Sequence, residues 1–176
     1  MTQQQWAARG WATLALSLAA GMAAAQDDPC AKFTWNIQRE RALFASAPQA
    51  VVAGHDASSA PPLAPERPYQ LQLAAAGQIT LLLPPGKNTS TDGAYAGMAR
   101  LRLAQPGSYR VSVDQPLWID VVADGKMIQS VDFQGRPGCL APHKIVQYSL
   151  PGGRELLLQL SGAPKPVVRL TITATG

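Results

Sequence analysis

Residues 118–122 read Trp-Ile-Asp-Val-Val. In a strand, the pleat would place Trp118, Asp120 and Val122 on one face and Ile119 and Val121 on the other. With Arg110 upstream and Lys144 downstream, this gives an aromatic plane beside an acid and two bases. That is the equipment of carbohydrate recognition, in which a ring stacks on the apolar face of a sugar and charged groups take its hydroxyls. The same residues also read as ordinary sheet, with Trp118 in a core and Asp120 capping a turn or pairing with Arg110 across strands. A second group is His143 and Lys144, which follow a Pro- and Gly-punctuated run at 136–142. Tethered by a disulfide, that loop would be rigid enough to offer both residues to an anionic partner; it also reads as a stapled connection whose side chains merely stay wet.

The two cysteines would supply the tether. An exported chain with two cysteines usually pairs them, and a bond from Cys30 to Cys139 would close a loop of about 108 residues, stabilising by roughly 4 to 5 kcal/mol. The alternatives are a reactive thiol, or a metal pair of Cys139 with His143. Two cysteines and two histidines cannot supply a multi-histidine or four-cysteine centre, so no metal or cofactor is expected. No Gly-x-Ser-x-Gly elbow occurs, and a serine triad would have to recruit His55 or His143 across loops. His55 and Asp56 fall in polar, punctuated sequence that reads as solvated loop. Asp114, Asp120, Asp124 and Asp132 could pair for glycoside hydrolysis, but strand alternation explains each as solvent-facing or a turn residue. No catalytic residue is assigned.

Export itself is read from residues 1–25. Arg9 supplies a positive start, residues 12–20 an apolar stretch too short to cross a bilayer, and Ala23-Ala24-Ala25 a cleavage site. The mature chain would begin at Gln26, free in the periplasm or secreted. Asp27-Asp28-Pro29 before Cys30 does not fit a lipoprotein box, and ten Arg against five Lys in an Ala-rich chain suggest a bacterial source. Of 176 residues, 47% are hydrophobic and 15% charged, which suits one modest domain. Losing Arg9 lowers the formal net charge from +4 to +3, with the remaining bases scattered, so nucleic acid is not an expected partner.

The elements that must position these groups are strands. Residues 38–45 (QRERALFA) predict a short helix with Leu43 and Phe44 facing a core and Arg39, Glu40 and Arg41 facing water. A Pro/Ala-rich connection follows at 46–68, with one short strand at 49–53. From Tyr69 onward, runs closed by Gly, Pro or Asp predict strands at 69–73, 78–83, 95–103, 108–114, 118–122, 126–133, 144–150, 154–161 and 167–173. This spacing, without long helices for crossovers, predicts an all-β antiparallel sandwich, jelly-roll-like, with the helix on an edge or end. A closed lipocalin-type barrel is the alternative. The arm at 26–68 and the core at 69–176 form one unit.

The run Tyr95-Ala96-Gly97, residues 107–111 (GSYRV), residues 118–122, Asp124-Gly125, Cys139, Lys144 and Leu150-Pro151-Gly152 resembles small exported bacterial proteins of unassigned function, over most of residues 95–161. Some of those relatives carry the label homogentisate 1,2-dioxygenase. That label implies two histidines and a carboxylate on one iron, which the placement of His55 and His143 does not furnish. The later half is similar to the pre-peptidase C-terminal domain, a resemblance that implies a β-sandwich and transfers no function. The expectation is a non-catalytic exported sandwich that binds a carbohydrate, an envelope component or a protein partner. The alternatives are a secreted hydrolase, an iron dioxygenase, or an assembly factor for the envelope.

Overall fold

The computed structural model describes residues 28–89 and 92–175, so the export signal expected at residues 1–25 lies outside the described residues. The strands are β1 (Gln49–Val52), β2 (Pro62–Leu63), β3 (Pro68–Gln72), β4 (Ala74–Ala75), β5 (Tyr95–Arg102) and β6 (Gly107–Val113), then β7 (Trp118–Ala123), β8 (Lys126–Ile128), β9 (Ser130–Gly135), β10 (Lys144–Leu150), β11 (Glu155–Ala163) and β12 (Val167–Ala174). They form two six-stranded sheets, ordered β1-β3-β12-β6-β10-β9 and β2-β5-β11-β7-β8, with β4 also on β5. Within them, β3, β12, β6 and β10 oppose β5, β11, β7 and β8, which is the wiring of a jelly roll. The sheets keep free edges and do not close into a barrel.

Alternation builds the layer between the sheets. Leu71, Val111, Val113, Tyr148, Leu170 and Ile172 meet Ala99, Leu101, Ile119, Val121, Leu156, Leu158 and Leu160 in one buried cluster. Each such branched side chain removed from water contributes about 1.5–3 kcal/mol. The turn expected at Asp124-Gly125 joins β7 to β8, with both residues at positive φ (49° and 70°), as a two-residue hairpin of this kind demands.

Three expectations about the strands need correction. Residues 78–83 are not a strand: a 3-10 turn at Ala76–Gln78 leads into extended chain lying across the second sheet. Ile79, Leu81 and Leu83 there pack on Met98, Val122 and Leu157. Its amides find partners other than a ladder, since Thr80 N donates to His55 O, and the Gln159 side chain holds both the N–H and the C=O of Leu83. Burial alternates along this segment as in a strand, but it serves a covering layer rather than a sheet. Residues 126–133 form two strands rather than one, because the chain passes at Gln129 from the second sheet to the first. The pairing is not wholly antiparallel either: β1–β3 and β2–β5 are parallel edge pairs, and the connection between β1 and β3 makes the crossover by way of β2 in the opposite sheet.

The arm covers the other outer face. A 3-10 turn at Pro29–Lys32 carries Cys30, which is bonded to Cys139 across a separation of 109 residues. Phe33 and Ile37 close over Cys139 and Ile145. Helix α1 (Gln38–Ala45) packs on β12 through Phe44. Glu40, expected to face water, is buried with Phe44, since positions four apart share a helix face.

Candidate functional site

Trp118 begins β7 and Lys144 begins β10, and the two meet where the sandwich opens between the sheets. Lys144 follows the inward parity of Val146, Tyr148 and Leu150, so its stem runs into the gap and its ammonium sits 4.9 Å from the centre of the Trp118 ring. One of its protons goes to Leu117 O at 2.9 Å. A second ammonium, that of Lys87, comes from the loop after Pro84-Pro85-Gly86 and lies 6.0 Å from the same ring. Both distances are in the range of attraction to an aromatic face. Burial pushes the Lys144 ammonium below the usual lysine range, and the positive charge of Lys87 adds to this while Asp120 opposes it.

Asp120 does not face solvent. It is 5% exposed and works as an internal bracket: one carboxylate oxygen accepts from Trp118 Nε1 at 2.8 Å and the other from Gly86 N at 3.2 Å. Burial raises its carboxyl above the ordinary range, partly offset by the Gly86 and Trp118 donors and by the charge of Lys144. The same loop is seated on a bulge of β11 between Leu160 and Ala163. There Gly162 has φ of +69°, and a Cβ on it would stand 2.9 Å from Thr89 Cβ, so only glycine lets the chain come down onto the sheet.

The opening has two connected parts. An outer hollow of about 420 Å³ is bordered by Asn88, Thr89 and His143. An inner chamber of about 290 Å³ reaches Ile119, Val146 and Tyr148. Lys87, Trp118, Phe133 and Lys144 border both and form the throat. Phe133 pairs in register with Val146 on the edge strand β9, so it points to the sheet interior, yet it stays 65% exposed because no strand stands opposite. Tyr148 closes the floor by donating its hydroxyl to Ile119 O at 2.8 Å.

Of the residues singled out by sequence, Trp118, Asp120, His143 and Lys144 therefore come together, while Arg110 does not join them. It lies on the outer face of the first sheet, stacked 4.5 Å over Trp35 and donating to Asn36 O, Glu40 and Gln147. It fastens the arm to the sheet. Cys139 is bonded to Cys30 and is neither a free thiol nor a metal partner of His143. His55 is exposed, but Asp56 is not idle: its carboxylate accepts from Ser58 Oγ and from Ser59 N and Oγ, which holds it down at about 2 and ties a tight turn. Among the described residues no three His, Cys, Asp or Glu side chains converge. No helix in that range is long and apolar enough to cross a membrane. No family model and no curated protein matches the chain.

Sequence reasoning missed Lys87, Phe133 and Tyr148. Phe133 carried a signal, an aromatic in an edge run followed by loop; Lys87 carried none, since its loop is placed by Asp120, 33 residues on.

The bracket is testable. An amide at position 120 offers one acceptor where two N–H groups need one each, and turns a donor toward the other. Asp120→Asn is expected to cost about 2 kcal/mol in urea unfolding, the scale of one orphaned buried donor. Unchanged stability would mean that the bracket contributes nothing. Because folding raises the carboxyl, its protonation favours the fold: the gain is full below the unfolded range of Asp and is lost as pH rises through the raised folded value. The Asn variant should lack that pH-dependent component.

Proposed function

We propose that the protein is an exported, non-catalytic binding module that takes a negatively charged component of the cell envelope in the cleft beside Trp118. The carrying observation is the pair of ammonium groups on one indole at the cleft throat. The ion pairs among the described residues use Arg39, Arg41, Arg100, Arg110 and Arg154, and neither lysine. Two like charges held close are costly, and a bound carboxylate or phosphate would relieve that cost. Export to the periplasm or beyond is supported by the reading of residues 1–25 and by the disulfide, which persists in oxidising compartments. The resemblance to small exported β-sandwich proteins agrees with this reading.

A neutral sugar platform is less well supported. The ring of Trp118 already carries two ammonium groups, and its N–H is committed to Asp120. Titration calorimetry of the mature chain with digalacturonate, inorganic phosphate and cellobiose tests the proposal. The acidic probes are expected to bind in a salt-sensitive manner, and Lys144→Met to weaken them about tenfold or more, the scale of one charge-assisted contact. Cellobiose binding as tightly as digalacturonate, or no acidic probe binding at all, would overturn it.

A further inference from the structure

We infer that the ligand of this cleft is a single-chain amphiphile, with its anionic head between Lys87 and Lys144 and an apolar chain of medium length in the chamber behind them. The inference rests on the anion-binding reading and adds what lies beyond the throat. That chamber, about 290 Å³, is walled by Ile119, Phe133, Val146 and Tyr148. Apart from the two lysines, its polar lining is Ser130 at the edge and the Tyr148 hydroxyl at the floor, which is already committed to Ile119 O. A sugar or a bare phosphate placed there would meet few polar partners and lose its hydration. A methylene chain would bring apolar walls out of water at no such cost. The volume corresponds to about ten waters and, a methylene being close to a water in size, to a chain of roughly eight to ten carbons. Phe133 adds a further argument, because a large apolar side chain 65% exposed at the throat gains from any chain that passes it. A diacyl lipid still in its bilayer does not fit, since both chains would have to enter one chamber.

The test is calorimetry of the mature chain with straight-chain carboxylates from acetate to dodecanoate, below micelle formation, with octyl phosphate and with phosphatidylglycerol vesicles. Affinity is expected to rise about two- to fourfold for each added methylene as far as the eight- to ten-carbon chains, then to level off. Octyl phosphate should follow octanoate. Val146→Phe, which fills the chamber, should flatten the chain-length series while leaving acetate binding in place. If that variant does not fold, Phe133→Ser at an exposed position should weaken octanoate without weakening acetate. Equal affinity for every chain length, or binding of digalacturonate with none of octanoate, overturns the inference and leaves the anion-binding reading standing. Binding to vesicles without binding to octanoate overturns it in favour of a membrane surface. Failure of every anionic probe removes both.

Discussion

Replacing Cys30 and Cys139 together by alanine is expected to lower the free energy of unfolding by roughly 4 kcal/mol, because the cross-link removes a loop of this length from the unfolded ensemble. The folded side of the balance changes little at first, since Phe33, Ile37 and Ile145 still have each other to pack against. The arm nevertheless loses its covalent cross-link to the loop between β9 and β10. Urea unfolding of the oxidised wild type and the double variant gives the value directly from the midpoints at a common slope. A loss below about 1 kcal/mol would mean that the arm is secured by Arg110 and the helix alone. The effect should reach the cleft as well. Cys139 N donates to Arg136 O, and Arg136 N to His143 O, so the tethered loop runs straight into Lys144. Weaker binding of anionic probes is therefore expected in the same variant.

The second large effect is expected at Glu40. Its carboxylate accepts from Thr173 Oγ1 at 2.8 Å and lies 3.4 Å from Arg110 Nη1, with side-chain exposures of 3% for Glu40 and 16% for Arg110. Glu40→Ala removes the shared acceptor and leaves a poorly solvated guanidinium and a buried hydroxyl without it. Breaking a buried pair from one side costs about 3 to 5 kcal/mol. Arg110 keeps Asn36 O, Gln147 and the Trp35 face, so about 3 kcal/mol is expected here. Glu40→Gln, which retains an acceptor for Thr173, should cost about 1 kcal/mol, the worth of the charge on one hydrogen bond. A double-mutant cycle with Arg110→Met isolates the pair; zero coupling would show that the two side chains merely sit near each other.

What could be read from the chain beforehand follows a physical divide. Runs such as 108–113 and 144–150 alternate and are closed by Pro or Gly, and local pattern settles their existence and their inward faces. Residues 79–83 are an apolar run of strand length yet form no ladder, because pattern reports that a segment is buried and not what buries it. Glu40 shows the same limit on a helix: a charged residue at a core-facing position has a partner 70 residues away, and nothing local announces it. In the cleft, Trp118 and Lys144 were visible as residue types worth attention, and Asp120 as their neighbour. Lys87 is not, since the loop that carries it is placed by one carboxylate acceptor on a distant strand and by a glycine on another. Arg110 is close to Trp118 in sequence, whereas strand parity turns it to the opposite side of its sheet.

The company kept by the indole of residue 118 has a practical consequence. Apart from Trp6 and Trp11 within residues 1–25, the chain has two tryptophans, Trp35 under a guanidinium and Trp118 between two ammonium groups and a carboxylate. The emission colour of an indole follows the electric field across it. Neutralising one ammonium would therefore recolour one emitter and leave the other as an internal standard. With Trp35→Phe the molecule becomes a single-dye sensor of its own occupancy, read without any added label.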